Sequence, residues 1–426
     1  MTGRTGSDHV RTDRHGLDVA WKAKEPNTIG TDEYMDWCKL AETEPIMAVN
    51  LGSRGPAEAR DLVEYCNFGS GTALSDLRAA NGHAAPHAIR TWCLGNEMDG
   101  PWQACAKTPT EYGRVATEAA KLMRWADDSI ELVVCGSSNG HMETFGSWEW
   151  EVLGHTYDEV DYLAIHSYFG RGDTEESFRN YLGSPDRMDD FIRKSIALCD
   201  AVGAKRKSDK KLMIAYDEWN VTRPGSGRSK DEEWTVGRRL AEMDYDVADA
   251  VIFGGQMTTL LNHADRVRIG CLAQTVNILA PIMTEPDGAA WAQTIYHPFA
   301  LTSRYGRGTI LHTSLTSDTL STPKHGDIES LIAAAVLTED GKSLNLFLVN
   351  RDPDNELETK IDLSTFGTVS IAEALTLSNE DTTLSNSPTH RNTVTPQALS
   401  SVDTAPTGLS ANLPRLSWNL IRLDLG

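Results

Sequence analysis

Apolar positions in the first 300 residues gather into six short runs: Glu44-PIMAVNLG, Ile89-RTWCLGNE, Ile130-ELVVCGSS, Val160-DYLAIHSY, Lys211-LMIAYDEWN and Val267-RIGCLAQ. Their apolar centres are aliphatic or β-branched, short, and nearly without alternation, the pattern of strands buried on both faces. Amphipathic stretches separate them. Thr110-EYGRVATEAAKLMRWA repeats apolar residues at helical spacing behind Pro109, and Arg187-MDDFIRKSIALCDAV does the same. Strand and helix in this rhythm predict parallel βαβ units. The rhythm changes near residue 300. From Tyr305 onward short alternating stretches such as Ser330-LIAAAVLTE and Ser343-LNLFLVNRD dominate, and Leu413-PRLSWNLIRLDL closes the chain. These predict an antiparallel β-sandwich. The Ser-, Thr-, Asn- and Pro-rich patch from Asp381 to Thr407 reads as a long loop. The expected division is residues 1–300 as a (β/α)8-type unit and residues 301–426 as the sandwich.

Polar residues cluster where the apolar runs end: Asn50, Asn96 and Glu97, Ser137 and Ser138, His166 and Tyr168, Glu218, and Gln274. In a barrel that face carries the active site. A doubly wound sheet would put its site there too, so the pattern alone leaves both open. Two carboxylates, Glu97 and Glu218, each follow a buried strand and each have tryptophan nearby (Trp102 and Trp219). Glycoside hydrolysis needs two carboxylates facing one sugar, one to protonate the leaving oxygen and one to attack the anomeric carbon. Their separation fits three strand-plus-helix units, the interval between the fourth and seventh strands of a barrel. The apolar mouth around Glu97 is expected to raise its pKa for acid work. Asp217 is expected on the opposite side of its strand from Glu218.

The motifs CLGNEMDGPWQ, YDEWNV, NHADRV, CLAQTVNILAPIMT and WAQTIYHPF resemble those of the α-L-arabinofuranosidases of glycoside hydrolase family 51, from Leu17-DVAW to the closing LPRLSWNLIRL. The resemblance implies a (β/α)8 TIM barrel with a C-terminal jelly-roll sandwich and retaining hydrolysis of terminal α-L-arabinofuranosyl groups. It implies Glu97 as acid/base, Glu218 as nucleophile, and Asn96 as the residue that bonds the 2-hydroxyl. Trp21, His166, Tyr168 and Gln274 match sugar-contacting positions. It implies an arabinofuranosyl oligosaccharide as partner and a homo-oligomer as assembly. Two departures stand out. Thr222 occupies a place where the family carries Trp, which predicts an altered aglycone wall and linkage preference. The family's first two barrel strands, with a Glu, an Arg and an Asn that hold the sugar, have no counterpart before Leu17. The expectation is therefore a barrel incomplete at its N-terminus, with strands 3 to 8 only, that aggregates or turns over at a trace. The competing readings are an impaired relative that at most binds sugar, and another retaining glycosidase of the same clan.

Composition narrows the picture further. A net charge of −21 repels polyanions and argues against nucleic acid as a partner. The opening residues are polar and basic and read as no secretory signal, and no apolar run reaches membrane-spanning length. Seven scattered cysteines, odd in number and without a C-x-x-C pair, predict free thiols in a reducing cytoplasm. No cofactor and no metal are expected, and His83, His87 and His141 are read as solvated loop residues. The sequon Asn220-Val-Thr222 is read as idle.

Overall fold

The structure, a computed structural model, describes residues 16–224, 229 and 231–426. The polar opening segment noted above, residues 1–15, lies outside the described residues. β1 (Gly16–Asp18) and β2 (Ala23–Glu25) form an antiparallel hairpin. The chain then alternates through α1 (Thr31–Leu40), β3 (Ile46–Ala48), α2 (Pro56–Asn67), α3 (Ala73–Ala80), β4 (Thr91–Cys93), α4 (Pro109–Ala126) and β5 (Glu131–Cys135). It continues through α5 (Ser147–Thr156), β6 (Tyr162–Gly170), α6 (Glu175–Leu182), α7 (Ser184–Arg206), β7 (Met213–Thr222), α8 (Val247–Asn262) and β8 (Val267–Leu272). β3 to β8 are the six apolar runs, and they pair in chain order, all parallel. The result is a partial (β/α) barrel. Among the described strands β3 pairs only with β4, and β8 only with β7.

Helix starts follow local chemistry. Thr108 accepts a hydrogen bond from the Glu111 amide, and the Glu111 carboxylate accepts the Thr108 amide in return, with Pro109 as the first helical residue of α4. This reciprocal cap satisfies amides that have no partner within the helix.

After β8 come the hairpin β9 (Ile282–Thr284) and β10 (Ala290–Ala292), and then α9 (Tyr296–Tyr305), within which residue 300 lies. The remaining strands are β11 (Thr309–Leu311), β12 (Thr319–Thr322), β13 (Gly326–Glu329), β14 (Leu331–Leu337), β15 (Ser343–Asn350) and β16 (Leu357–Asp362), followed by β17 (Val369–Leu377), β18 (Gln397–Ala398), β19 (Val402–Ala405), β20 (Gly408–Leu413) and β21 (Ser417–Leu425). An antiparallel sheet ordered β11-β14-β15-β21-β17-β18 faces a smaller one ordered β16-β20-β19. β18 and β19 lie inside the Asp381–Thr407 patch expected to be a loop. They are two and four residues long and carry no apolar run, so they left no periodic trace.

The sandwich is not a separate body. In β15, Leu344, Leu346 and Leu348 pack into the sandwich core with Leu409 and Leu413. The alternate residues Phe347 and Val349 join the barrel core with Val251, Ile252 and Phe253 of α8. Helix α8 is thus apolar nearly all round, wedged between barrel and sandwich. All seven cysteines are free, five of them buried. Among the described residues no helix is long and apolar enough to cross a membrane.

Candidate active site

The C-terminal ends of β4, β6 and β7 converge on one imidazole. β4 ends at Cys93, and the chain turns sharply through Gly95 (φ 103°) and Glu97 (φ 46°), both left-handed. A side chain at Gly95 would meet Met98 at 2.9 Å, so glycine is required there on two counts. The turn aims the Glu97 carboxylate at His166, whose Nδ1 is 3.2 Å from Glu97 Oε1. His166 Nε2 is 3.3 Å from Asp217 Oδ1, and its Nδ1 is 3.7 Å from Glu218 Oε2. The Tyr168 hydroxyl donates to Glu218 Oε1 at 2.6 Å. The outer oxygen of Glu97 accepts from the Trp102 indole N–H at 2.5 Å and from the Gln103 amide at 3.3 Å.

Asp217 and Glu218 are consecutive, yet both reach His166. The expectation that Asp217 points to the opposite side of the strand is overturned. β7 is irregular against both neighbours, with register shifts at Ala164/His166 and at Tyr216/Trp219. A bulge of this kind breaks strict alternation and re-aims side chains. The Cys93 thiol donates to the other Asp217 oxygen at 3.6 Å.

Burial opposes charge on His166, but Asp217, Glu97 and Glu218 more than compensate and hold its pKa well above the usual imidazole value. Burial pushes the Glu218 carboxyl up, with His166 and Tyr168 pulling against it, and the net shift is upward. Burial also pushes Glu97 up, but His166, Trp102 and Gln103 outweigh it and the net shift is downward. The expected elevation of Glu97 is therefore reversed in the protein alone, because three donors surround a carboxylate whose pKa burial by itself would raise.

Of the residues expected at the site, the structure brings together Glu97, His166, Tyr168 and Glu218. Asn96 is exposed beside Glu97, between the two left-handed residues. Gln274 is exposed just past β8, after a cis peptide bond with Ala273. Trp21 lies elsewhere in the contact network: it sits half-exposed at the β1–β2 turn, and its carbonyl accepts from Arg238. None of the described hydrogen bonds links Trp21 to the carboxylates. Asn220 was read only as part of a sequon. Its buried side-chain amide donates to the carbonyls of Ala273 and Leu279 and so anchors the segment that follows β8. Beyond the site, Arg171 at the end of β6 and Arg223 after β7 both bind Asp246 and Asp249 at the start of α8. The expectation that His87 is solvated is also overturned, since its side chain is buried against Asp32. Two groups of donor atoms among the described residues come within 4.8 Å of one another: Glu97, His166 and Glu218, and Asp32, His83 and His87.

Known proteins place this arrangement. Residues 4–186 match the model of the α-L-arabinofuranosidase 1 domain, and residues 217–417 match that of the α-L-arabinofuranosidase C-terminal domain. An intracellular exo-α-(1→5)-L-arabinofuranosidase of Halalkalibacterium halodurans is 47% identical over 96% of this chain and 81% of its own. An exo-α-(1→6)-L-arabinofuranosidase of Bifidobacterium longum is 42% identical over 96% of this chain and 80% of its own. A solved family 51 α-L-arabinofuranosidase of Bifidobacterium longum superposes with a TM-score of 0.91 at 36% identity, covering 96% of this chain and 81% of that one. Barrel ends, sandwich and sequence thus agree, and the chain belongs to the family 51 α-L-arabinofuranosidases.

Proposed function

We propose that the chain is a retaining, exo-acting hydrolase that releases terminal non-reducing α-L-arabinofuranosyl residues from arabinose-containing oligo- and polysaccharides. The observation that carries the reading is the closeness of the two carboxylates. One oxygen each of Glu97 and Glu218 lies within 4.8 Å, with a ring nitrogen of His166 between reach of both. Retaining enzymes hold the pair about 5–5.5 Å apart, whereas inverting enzymes need about 6.5–9.5 Å to admit a water. The names of the relatives support the sugar and an intracellular setting. We assign the chemistry to residues 1–300 and a bracing role to residues 301–426.

Tyr168 holds one oxygen of Glu218 and leaves the other free to attack the anomeric carbon as the glycosidic bond breaks. Glu97 gives its proton to the departing oxygen. In the second step Glu97 takes a proton from water, the water oxygen bonds to the anomeric carbon, and Glu218 leaves with configuration retained. In the protein alone the Glu97 carboxyl is shifted down and that of Glu218 up, the reverse of what the first step calls for, so the substrate has to oppose both shifts. A leaving oxygen beside Glu97 replaces the Trp102 donor, and positive charge developing on the sugar favours the Glu218 anion. Asn96 and Gln274 are proposed to take sugar hydroxyls, and Trp21 to offer an apolar face to the substrate.

The test is kinetic and chemical. Glu97→Ala is expected to slow turnover of substrates with poor leaving groups by about 10²–10⁴-fold, and activated aryl substrates far less. Azide is expected to rescue it, giving a glycosyl azide of retained configuration. A cyclophellitol-type arabinofuranosyl inhibitor is expected to label Glu218. Equal losses on both substrate classes with no azide product, or label on another residue, would overturn the roles.

A further inference from the structure

A second constellation lies where α1 meets the loop that follows α3. Asp32 and Asp36 stand one turn apart on α1, so their carboxylates share a face of the helix. His83 and His87 stand four apart in the loop, across Ala84, Ala85 and Pro86. One donor atom each of Asp32, His83 and His87 lies within 4.8 Å of the others. His87 Nε2 is 2.7 Å from Asp32 Oδ1, and His83 Nε2 is 3.7 Å from Asp36 Oδ2. The two imidazole centroids are 5.1 Å apart.

The surroundings hold these groups in place. The other oxygen of Asp32 accepts the Tyr65 hydroxyl at 2.6 Å, and that hydroxyl accepts the Asn81 amide at 2.9 Å. Arg78 is fully buried, and its guanidinium donates to the carbonyls of Tyr65, Phe68, Gly69, His83 and Ala84. It thereby fixes the start of the histidine loop, while the His87 amide donates to the Cys66 carbonyl at 2.7 Å. A lone His–Asp hydrogen bond accounts for His87 and Asp32. It does not account for the second imidazole, His83, converging on the same spot.

We propose that Asp32, His83 and His87 form a structural site for a divalent transition metal of the zinc class, separate from the catalytic carboxylates. Two imidazoles and a carboxylate suit zinc in a tetrahedral site whose fourth position is open to water or to Asp36, which stands 3.7 Å from His83. Tyr65 and Asn81 are the outer partners that such sites use to orient a ligating carboxylate. Metal entry replaces the hydrogen bond between His87 and Asp32. The ring gives up its Nε2 proton to solvent and takes one from solvent on Nδ1, so it stays neutral with Nε2 free for the metal, and the contact opens to about 3.3 Å, the tetrahedral edge for bonds of about 2.0–2.1 Å. If Asp36 takes the fourth position, Lys39, 3.4 Å from it on the exposed side, swings away. The consequence is mechanical: α1 leads into β3, the outermost strand of the parallel sheet, and the metal pins that helix to the α2–α3 unit.

The experiment uses the whole chain, stripped with a chelator and titrated with Zn²⁺ by calorimetry and with Co²⁺ by visible absorption. One equivalent is expected, with the intense bands of four-coordinate cobalt and a higher unfolding temperature. His83→Gln and His87→Gln are each expected to weaken binding by at least about tenfold. His83 is the less buried of the two, so its variant keeps the test valid if His87→Gln does not fold. His141→Gln and Glu97→Gln are expected to bind as the unmodified chain does. Absence of saturable binding, equal affinity in all variants, or loss of binding in Glu97→Gln alone would overturn the site. None of these outcomes bears on the proposed hydrolysis, because the readout is metal binding.

Discussion

His166 stands 3.2 Å from Glu97, 3.3 Å from Asp217 and 3.7 Å from Glu218, one imidazole among three carboxylates. Protonation of His166, Glu97 and Glu218 is therefore linked. The cation lowers the pKa of Glu97 and opposes the elevation of Glu218. Removing it in His166→Asn makes both carboxyls harder to ionise. A nucleophile must be ionised to attack, so the acidic limb of kcat/KM is expected to move to higher pH, while the fold is retained. A pH–rate profile on an activated aryl arabinofuranoside checks this, and an unmoved limb would remove the electrostatic role. Glu97 and Glu218 were legible as carboxylates closing buried strands. The reach of Asp217 was not, because a bulge cancels the two-residue period from which side-chain direction is read. The downward shift of Glu97 was not legible either. Its donors come from a loop wrapped back on itself and from His166, 69 residues away on another strand.

At the scale of elements, the telling case is α8. Its Gly254 packs face to face with a strand: a Cβ there would lie 2.1 Å from Trp418 Cδ1 of β21. Gly254→Ala is expected to cost about 1–3 kcal/mol, as overpacked cores do. Gly154, on the exposed side of α5, meets nothing within 4 Å, so Gly154→Ala is expected to gain about 0.5–1 kcal/mol. Urea unfolding of the two variants gives the sign directly, and equal effects would contradict the packing. Element types were largely legible from the two periodicities. What escaped was the second buried face of β15. Alternation predicts one wet side, but the odd residues Phe347 and Val349 bury against the barrel, a partner that local sequence does not reveal.

For the whole molecule, one core cluster runs from the barrel strands through α8 to Trp418 and Leu420 of β21. Arg351 of the sandwich segment, fully buried, also bonds the Leu182 carbonyl and the Asp186 carboxylate at the α6–α7 junction. Units that share so much apolar contact lose stability together. A single cooperative transition is therefore expected in calorimetry, coincident by near- and far-ultraviolet circular dichroism. Two resolved transitions would show that the sandwich holds itself. The partial barrel was anticipated from six apolar runs. The fusion of its core with the sandwich was not, because it depends on contacts between residues far apart in the chain, such as Phe253 with Phe347 and Gly254 with Trp418.

Asn220 has one further consequence. Its amide nitrogen spends its hydrogens on two carbonyls in a fully buried setting, and it also heads a glycosylation triplet ending at Thr222. A yeast or mammalian host that routes this polypeptide through the endoplasmic reticulum presents the triplet to oligosaccharyltransferase while β7 is still extended. A glycan added then would take one of those hydrogens and leave a bulky group where no space exists. Secretion from such a host is expected to yield retained, glycosylated, misfolded chains. Thr222→Ala keeps Asn220 but erases the triplet, and it is expected to restore secreted enzyme with unshifted gel mobility. Active secreted protein carrying a glycan on Asn220 would contradict the burial described here.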